Sequence, residues 1–196
     1  MDDLTQQLMQ QLSSGALSQL SQQIGTDEQA TGSVLSMAIP LLVSALANNA
    51  AKPEGAQSLH QAITNDHDGS ILNDIPGFLV NPQAANGAGI LGHVLGGQQP
   101  QVEQGLAQNS GLNSQQIGQL LQVAAPLVMG ALGQQQQQQG LDTNGLASFL
   151  GGQQQQVQQT NPDMMGSINN LLDRNQDGSI LDDIVGIIGK LFGGRK

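Results

Sequence analysis

Two acidic turns hold the residues with the plainest chemistry. NQDGSILDDI at residues 175–184 echoes NDHDGSILNDI at residues 65–75. Counted from Asp173, the later turn sets oxygen donors at places one, three and five (Asp173, Asn175, Asp177) and Gly178 at six. In an EF-hand loop, or its shorter DxDxDG relatives, alternate side chains at this spacing converge on a hard cation while the glycine permits the sharp bend. Ser179, Asp182 and Asp183 complete a candidate calcium set. The pattern then departs from an EF-hand: place nine is Leu181, and place twelve, where a bidentate Glu closes the shell, is Ile184. Asp182 or Asp183 closes it only if the loop is shorter than standard. The earlier turn has Thr64 where Asp173 stands, which leaves Asp66, Asp68 and Asp74 as a set of weaker affinity.

A simpler reading competes with calcium. Ser179 followed by Asp182, and Ser70 followed by Asn73, have the spacing of an N-cap and its partner three residues on. The same residues therefore serve to stop one helix and start the next. The capping role is preferred and calcium binding is the alternative.

Other reactive groups are sparse. His60 and His67 flank the first turn and, with Asp66 or Asp68, offer a two-histidine transition-metal arrangement without a fixed register. His93 lies in an apolar stretch and reads as a core histidine bonded to a backbone carbonyl. No GxSxG or SxxK is present, and no glycine-rich loop runs into Lys-Ser or Lys-Thr. Cys is absent, which excludes disulfides, thiolate metal sites and cysteine nucleophiles. No catalytic residue is assigned, and an enzyme would need a deep pocket lined by Asp66, His67 and His93.

The elements that must position these turns are helices. The only aromatic residues are Phe78, Phe149 and Phe192, so the core is built from Leu, Ile, Val, Ala and Met, which suits close-packed helices better than sheets. The formal net charge is -10, and the cations are Lys52, Arg174, Lys190, Arg195 and Lys196. Such a chain repels phosphate backbones, so nucleic acid is not an expected partner. Counting Asp173 with the second, seven of the fifteen acids fall in the two turns, so the negative charge is focused. MDDLTQQL has neither a basic n-region nor an apolar h-region, and no uninterrupted apolar run approaches about 18 residues. The expectation is a cytoplasmic protein without a membrane span, with export by a signal-independent route left open.

In chain order, 2–13 and 16–24 read as amphipathic helices, with Gly25 ending the second. Thr26 with Gln29 reads as the N-cap of a long apolar helix that Pro40 should kink or split at Ile39. A looser helix over 56–63 leads to the first turn, and 71–80 reads as a short helix broken at Pro76 and Gly77. AGILGHVL at 88–95 reads as a buried helix whose glycines something approaches closely. A short helix covers 102–108. Asn113 with Gln116 then opens a second long helix, in which VAAPLVMGAL matches MAIPLLVSAL at an offset of 86, from Pro40 to Pro126. The turns are offset by 109, from Asp68 to Asp177, and the Gln runs at 134–139 and 153–156 account largely for the difference. These runs read as linker or helix surface without a core role. TNGLASFLGG and IVGIIGKLFGG share the pattern of AGILGHVLGG, a short apolar helix ending in Gly-Gly.

GAGILGHVLGG, VEQGLAQNSGL, QQIGQLLQVAAPLVMGALG and the DGSILDDI turn together resemble the bacterial domain-of-unknown-function 937 family, which includes YidB-like proteins, over about residues 11–194. The resemblance implies an all-helical fold, part of it similar to homeodomain-like helix arrangements, and no established activity or site residues. A DNA-reading helix of that kind needs Arg, Lys or Asn facing the groove, and 114–132 has no basic residue.

The fold expected is an all-α bundle of short helices with two related internal repeats: N-terminal helices over 1–25, a first repeat over 26–97 and a second, Gln-rich one over 98–196. The function expected is non-enzymatic interaction or assembly, with a protein partner or self-association. Calcium is the one candidate cofactor.

Overall fold

The computed structural model describes residues 4–12 and 15–160. The described chain is all-α: α1 (Leu4–Leu12), α2 (Ala16–Ile24), α3 (Glu28–Ala50), α4 (Pro53–Asp66), α5 (Ile75–Val80), α6 (Gly87–Val94), α7 (Gln99–Ser110), α8 (Ser114–Gln139) and α9 (Thr143–Thr160). Short 3-10 segments at Ser70–Asp74, Pro82–Ala85 and Gly96–Gln98 join some of them, and no strand occurs among the described residues. The second acidic turn and residues 184–196 lie outside them.

The two proline-bearing helices form the centre. α3 and α8 pack against each other, α9 and α4 lie against α3, and α6 and α7 lie against α8. α3 is buried without interruption from Ala38 to Ala47, and α8 from Val123 to Gly133. Neither helix splits at its proline. An interior proline costs about 3 kcal/mol, whereas each large aliphatic side chain fully buried contributes about 1.5–3 kcal/mol. Leu41, Leu42 and Val43 beside Pro40, and Leu127 and Val128 beside Pro126, are each at most 1% exposed, which outweighs the break. Both helices are also long and apolar enough to cross a membrane by length and composition, a property that uninterrupted apolar runs do not reveal. Most of that surface is buried inside the fold.

The helix starts refine the sequence reading. Asn113 and Gln116 form a full capping box, the Asn113 side chain accepting from Gln116 N and the Gln116 side chain from Asn113 N. At α3 the cap is Asp27, whose carboxylate accepts from Ala30 N at 2.7 Å, and not Thr26. The Thr26 hydroxyl instead pairs with that of Thr31 at 2.6 Å. Asp27 and Asn113 then share the offset of 86 with Pro40 and Pro126. Around 71–80 the break falls at Asp74, which caps α5, and Pro76 sits harmlessly in its first turn.

The Gln runs are structural. Residues 134–139 are the last turns of α8, and 153–156 lie inside α9, which continues through its Gly151-Gly152 pair. Gln153 is buried, and its Oε1 accepts from Leu4 N, an orphan amide at the start of α1. Gln7 and Gln134 bond side chain to side chain at 3.3 Å, and Gln154 donates to Asn48 Oδ1 at 3.0 Å. The Gln136 amide donates to His60 Nε2 and Thr64 Oγ1, both at 3.1 Å, and ties α8 to α4.

Candidate functional site

The first acidic turn is a docking corner on α8. α4 ends where His67 N donates to Ile63 O. The Asp68 carboxylate then accepts from Ser70 N at 2.9 Å, Gly69 takes φ 93°, and Asp74 Oδ1 accepts from Gly77 N at 2.9 Å. Capping is thus done by Asp68 and Asp74. Ser70 and Asn73 do not form the expected box, and Gly69, in the N-cap place, offers no side chain. The hydroxyl and amide of Ser70 hold the exposed Asp68 carboxyl below the ordinary carboxylate range.

Two glycines of α8 receive this corner. A Cβ at Gly133 would run into the backbone carbonyl of His67, and one at Gly130 into the Ile71 side chain. In the same helix Pro126 has no N–H for the carbonyl of Gln122, four residues back. Gly87, the first residue of α6, comes so close to that carbonyl that a Cβ there would collide with it. The close backbone approach thus falls at Gly87, one residue before the stretch 88–95 whose glycines were expected to receive it, and Gly89 meets only the side chain of Asn86. Gly92 faces open space.

Between α3, α4, α6 and α8 a cleft of about 450 Å³ opens. Two other clefts on the described surface carry no ionisable lining residue. This one is floored by Leu46, Leu59, Ala62, Ile90, Val94 and Met129, and Asp66, His67 and His93 stand in its lining. Asn49 fixes one wall by donating from Nδ2 to Val94 O at 3.0 Å. Asn86, with φ 52°, turns the chain into α6 at its edge. A volume of this size, mostly apolar with a few polar groups, is the ordinary shape of a binding site.

The sequence-derived candidates divide accordingly. All three carboxylates of the first turn are exposed: Asp66 stands at the cleft, while Asp68 and Asp74 are engaged with backbone amides. Among the described residues no three His, Asp or Glu side chains gather as a ligand set. Asp173, Asn175, Asp177, Ser179, Asp182 and Asp183 lie outside the described residues. His93 does bond a backbone carbonyl, with Nδ1 2.9 Å from Gly89 O, but it is exposed at the cleft and not in the core. Burial lowers the pKa of His67, a shift that the neighbouring Asp66 charge opposes without reversing. Asp66 is the one carboxyl group in the cleft lining. No hydrogen bond joins Asp66, His67 and His93 to one another. Asn49 and Met129 were not foreseen as site residues, because nothing in their local sequence marks them.

No curated protein and no solved structure matches the chain. A family profile matches residues 6–135, so it stops short of the extent to 194 that the motifs imply. That match covers more than half of the chain's 196 residues, and the chain belongs to the family described as bacterial protein of unknown function (DUF937).

Proposed function

We propose that the protein is a non-enzymatic helical interaction module whose recognition site is the cleft between α3, α4, α6 and α8. The observation that carries this reading is an apolar floor of six side chains beneath a single carboxylate, that of Asp66. The complementary partner is an apolar group ending in a cation, a chemistry found in Lys- or Arg-bearing protein segments.

The test is a titration of the full chain with 4-phenylbutylamine and with its uncharged analogue 4-phenylbutanol, followed by methyl NMR. The amine is expected to shift Ala62, Ile90, Val94 and Met129 and to bind more tightly than the alcohol. Ala62→Trp, which fills the floor, abolishes the shifts. Shifts confined to other faces, or equal binding of amine and alcohol in wild type and in Asp66→Asn, would refute the reading.

The same three ionisable residues favour acid–base catalysis as a second reading. A catalytic base is ordinarily oriented by a hydrogen-bonded neighbour, and here none of the three supports another, so binding is preferred.

A further inference from the structure

We infer that the occupant of the cleft is the chain's own segment 184–196, with Leu191 and Phe192 on the apolar floor and Arg195 and Lys196 towards Asp66. The placement depends on the binding role proposed above. Four observations converge on it.

The first is charge. Lys52 is the sole Lys or Arg among the described residues, which carry the acids Asp27, Glu28, Glu54, Asp66, Asp68, Asp74, Glu103 and Asp142. Segment 184–196, IVGIIGKLFGGRK, has three cations and no acid. Nowhere else in the sequence do cations and a continuous apolar run coincide.

The second is apolarity. Phe78 and Phe149 are half-buried in the body of the fold. Phe192 is the one aromatic side chain beyond it, and aromatic anchors are what a small cleft of this kind uses best.

The third is kinship. IVGIIGKLFGG shares its pattern with the sequences of α6 and α9, and each of these packs against a proline-bearing helix, α6 on α8 and α9 on α3. A third segment of that pattern needs an apolar seat, and the cleft, walled by α6 itself, offers one beside both α3 and α8.

The fourth is reach. Residues 161–183 intervene, and 23 residues span at most roughly 75 Å when extended, more than the width of a body this size. Because the segment is covalently attached, its seating does not depend on chain concentration, whereas that of a second copy does.

The chain has no cysteine of its own, so engineered pairs report without background. In the full chain, Ser58→Cys in the cleft is combined with Gly193→Cys in the segment. The control pair joins Gly193→Cys to Gln83→Cys, beside a different cleft lined by α2, α6 and α8. Mild oxidation is expected to close the first pair at monomer mass at least tenfold faster than the control, and Asp66→Lys is expected to slow it. In a separate arm, Phe192→Ser combined with Arg195→Glu frees the cleft, so 4-phenylbutylamine binds that chain more tightly than wild type.

Equal cross-linking rates for the two pairs would overturn the inference, and so would product at dimer mass, which assigns the seat to a second copy. If the amine binds wild type and the tail variant alike while the rates are equal, the tail is not the occupant and the cleft remains a binding site. If the amine binds neither chain and the rates are equal, both readings fall.

Discussion

Replacing Gly133 by alanine sets two known effects against each other inside one helix. In a helix interior, Gly→Ala gains about 0.8–1 kcal/mol from propensity alone. At Gly151 in α9 nothing lies within 4 Å of an added Cβ, so Gly151→Ala keeps that gain. At Gly133 the new methyl meets the backbone carbonyl of His67, which cannot swing aside as a flexible side-chain tip does. The first acidic turn must shift as a unit, and overpacking of that kind costs about 1–3 kcal/mol. Propensity cancels when the two variants are compared, so Gly133→Ala falls below Gly151→Ala by that same amount. At roughly 2–4 °C per kcal/mol for a chain of this size, the gap in Tm is several degrees. Urea unfolding with unchanged m-values is the assay, since it reads stability without assuming a heat capacity. Equal stabilisation by the two substitutions would show that the turn does not rest on α8, and with it would go the placement of Asp66 and His67 at the cleft.

Other expectations follow from the same contacts. His67 binds a proton less readily when folded, so its contribution is intact above about pH 6.5, the unfolded value, and stability falls as pH drops from there towards the lowered folded value. His67→Gln flattens that part of the stability profile, measured by urea melts between pH 5 and 8. Gln153→Leu leaves the buried Leu4 amide without its acceptor, at a cost of about 1–3 kcal/mol. Hydrogen exchange then speeds up in α1 while α7 keeps its protection. Calcium binding at the second turn predicts heat and a raised Tm on calcium addition, both lost in Asp177→Ala. No heat with the wild-type chain leaves helix capping as the role of that turn.

Much of the architecture was legible, because helix periodicity and end signals are local. The capping box at Asn113 is written in four consecutive residues, and the scarcity of aromatics, three Phe in all, pointed to an all-α core. At α3 the run TDEQ offers two neighbouring cap formers, and only the position of the Asp27 carboxylate on Ala30 N separates them. The glutamine runs were opaque for a different reason. A homopolymer has no hydrophobic period to read, and Gln134, Gln136 and Gln153 acquire roles only when α1 and α4 lie alongside. The cleft was half legible: Asp66, His67 and His93 were singled out by type. Their meeting depends on the end of α4 and the face of α6 converging over α8, which rests on Gly87 and Gly133 admitting backbone at contact distance. Glycine in a helix reads as a weakness until the neighbour that needs the space is known.

The amide seams between α1, α4, α8 and α9 also determine how the body responds to its medium. Neutral donor–acceptor pairs are indifferent to dissolved ions, and with one lysine in the described body there is almost no attraction between opposite charges for brine to weaken. What ions do screen is the mutual repulsion of the carboxylates. Concentrated salt therefore tightens the described body, and dilution loosens it, the reverse of a fold laced together by ion pairs.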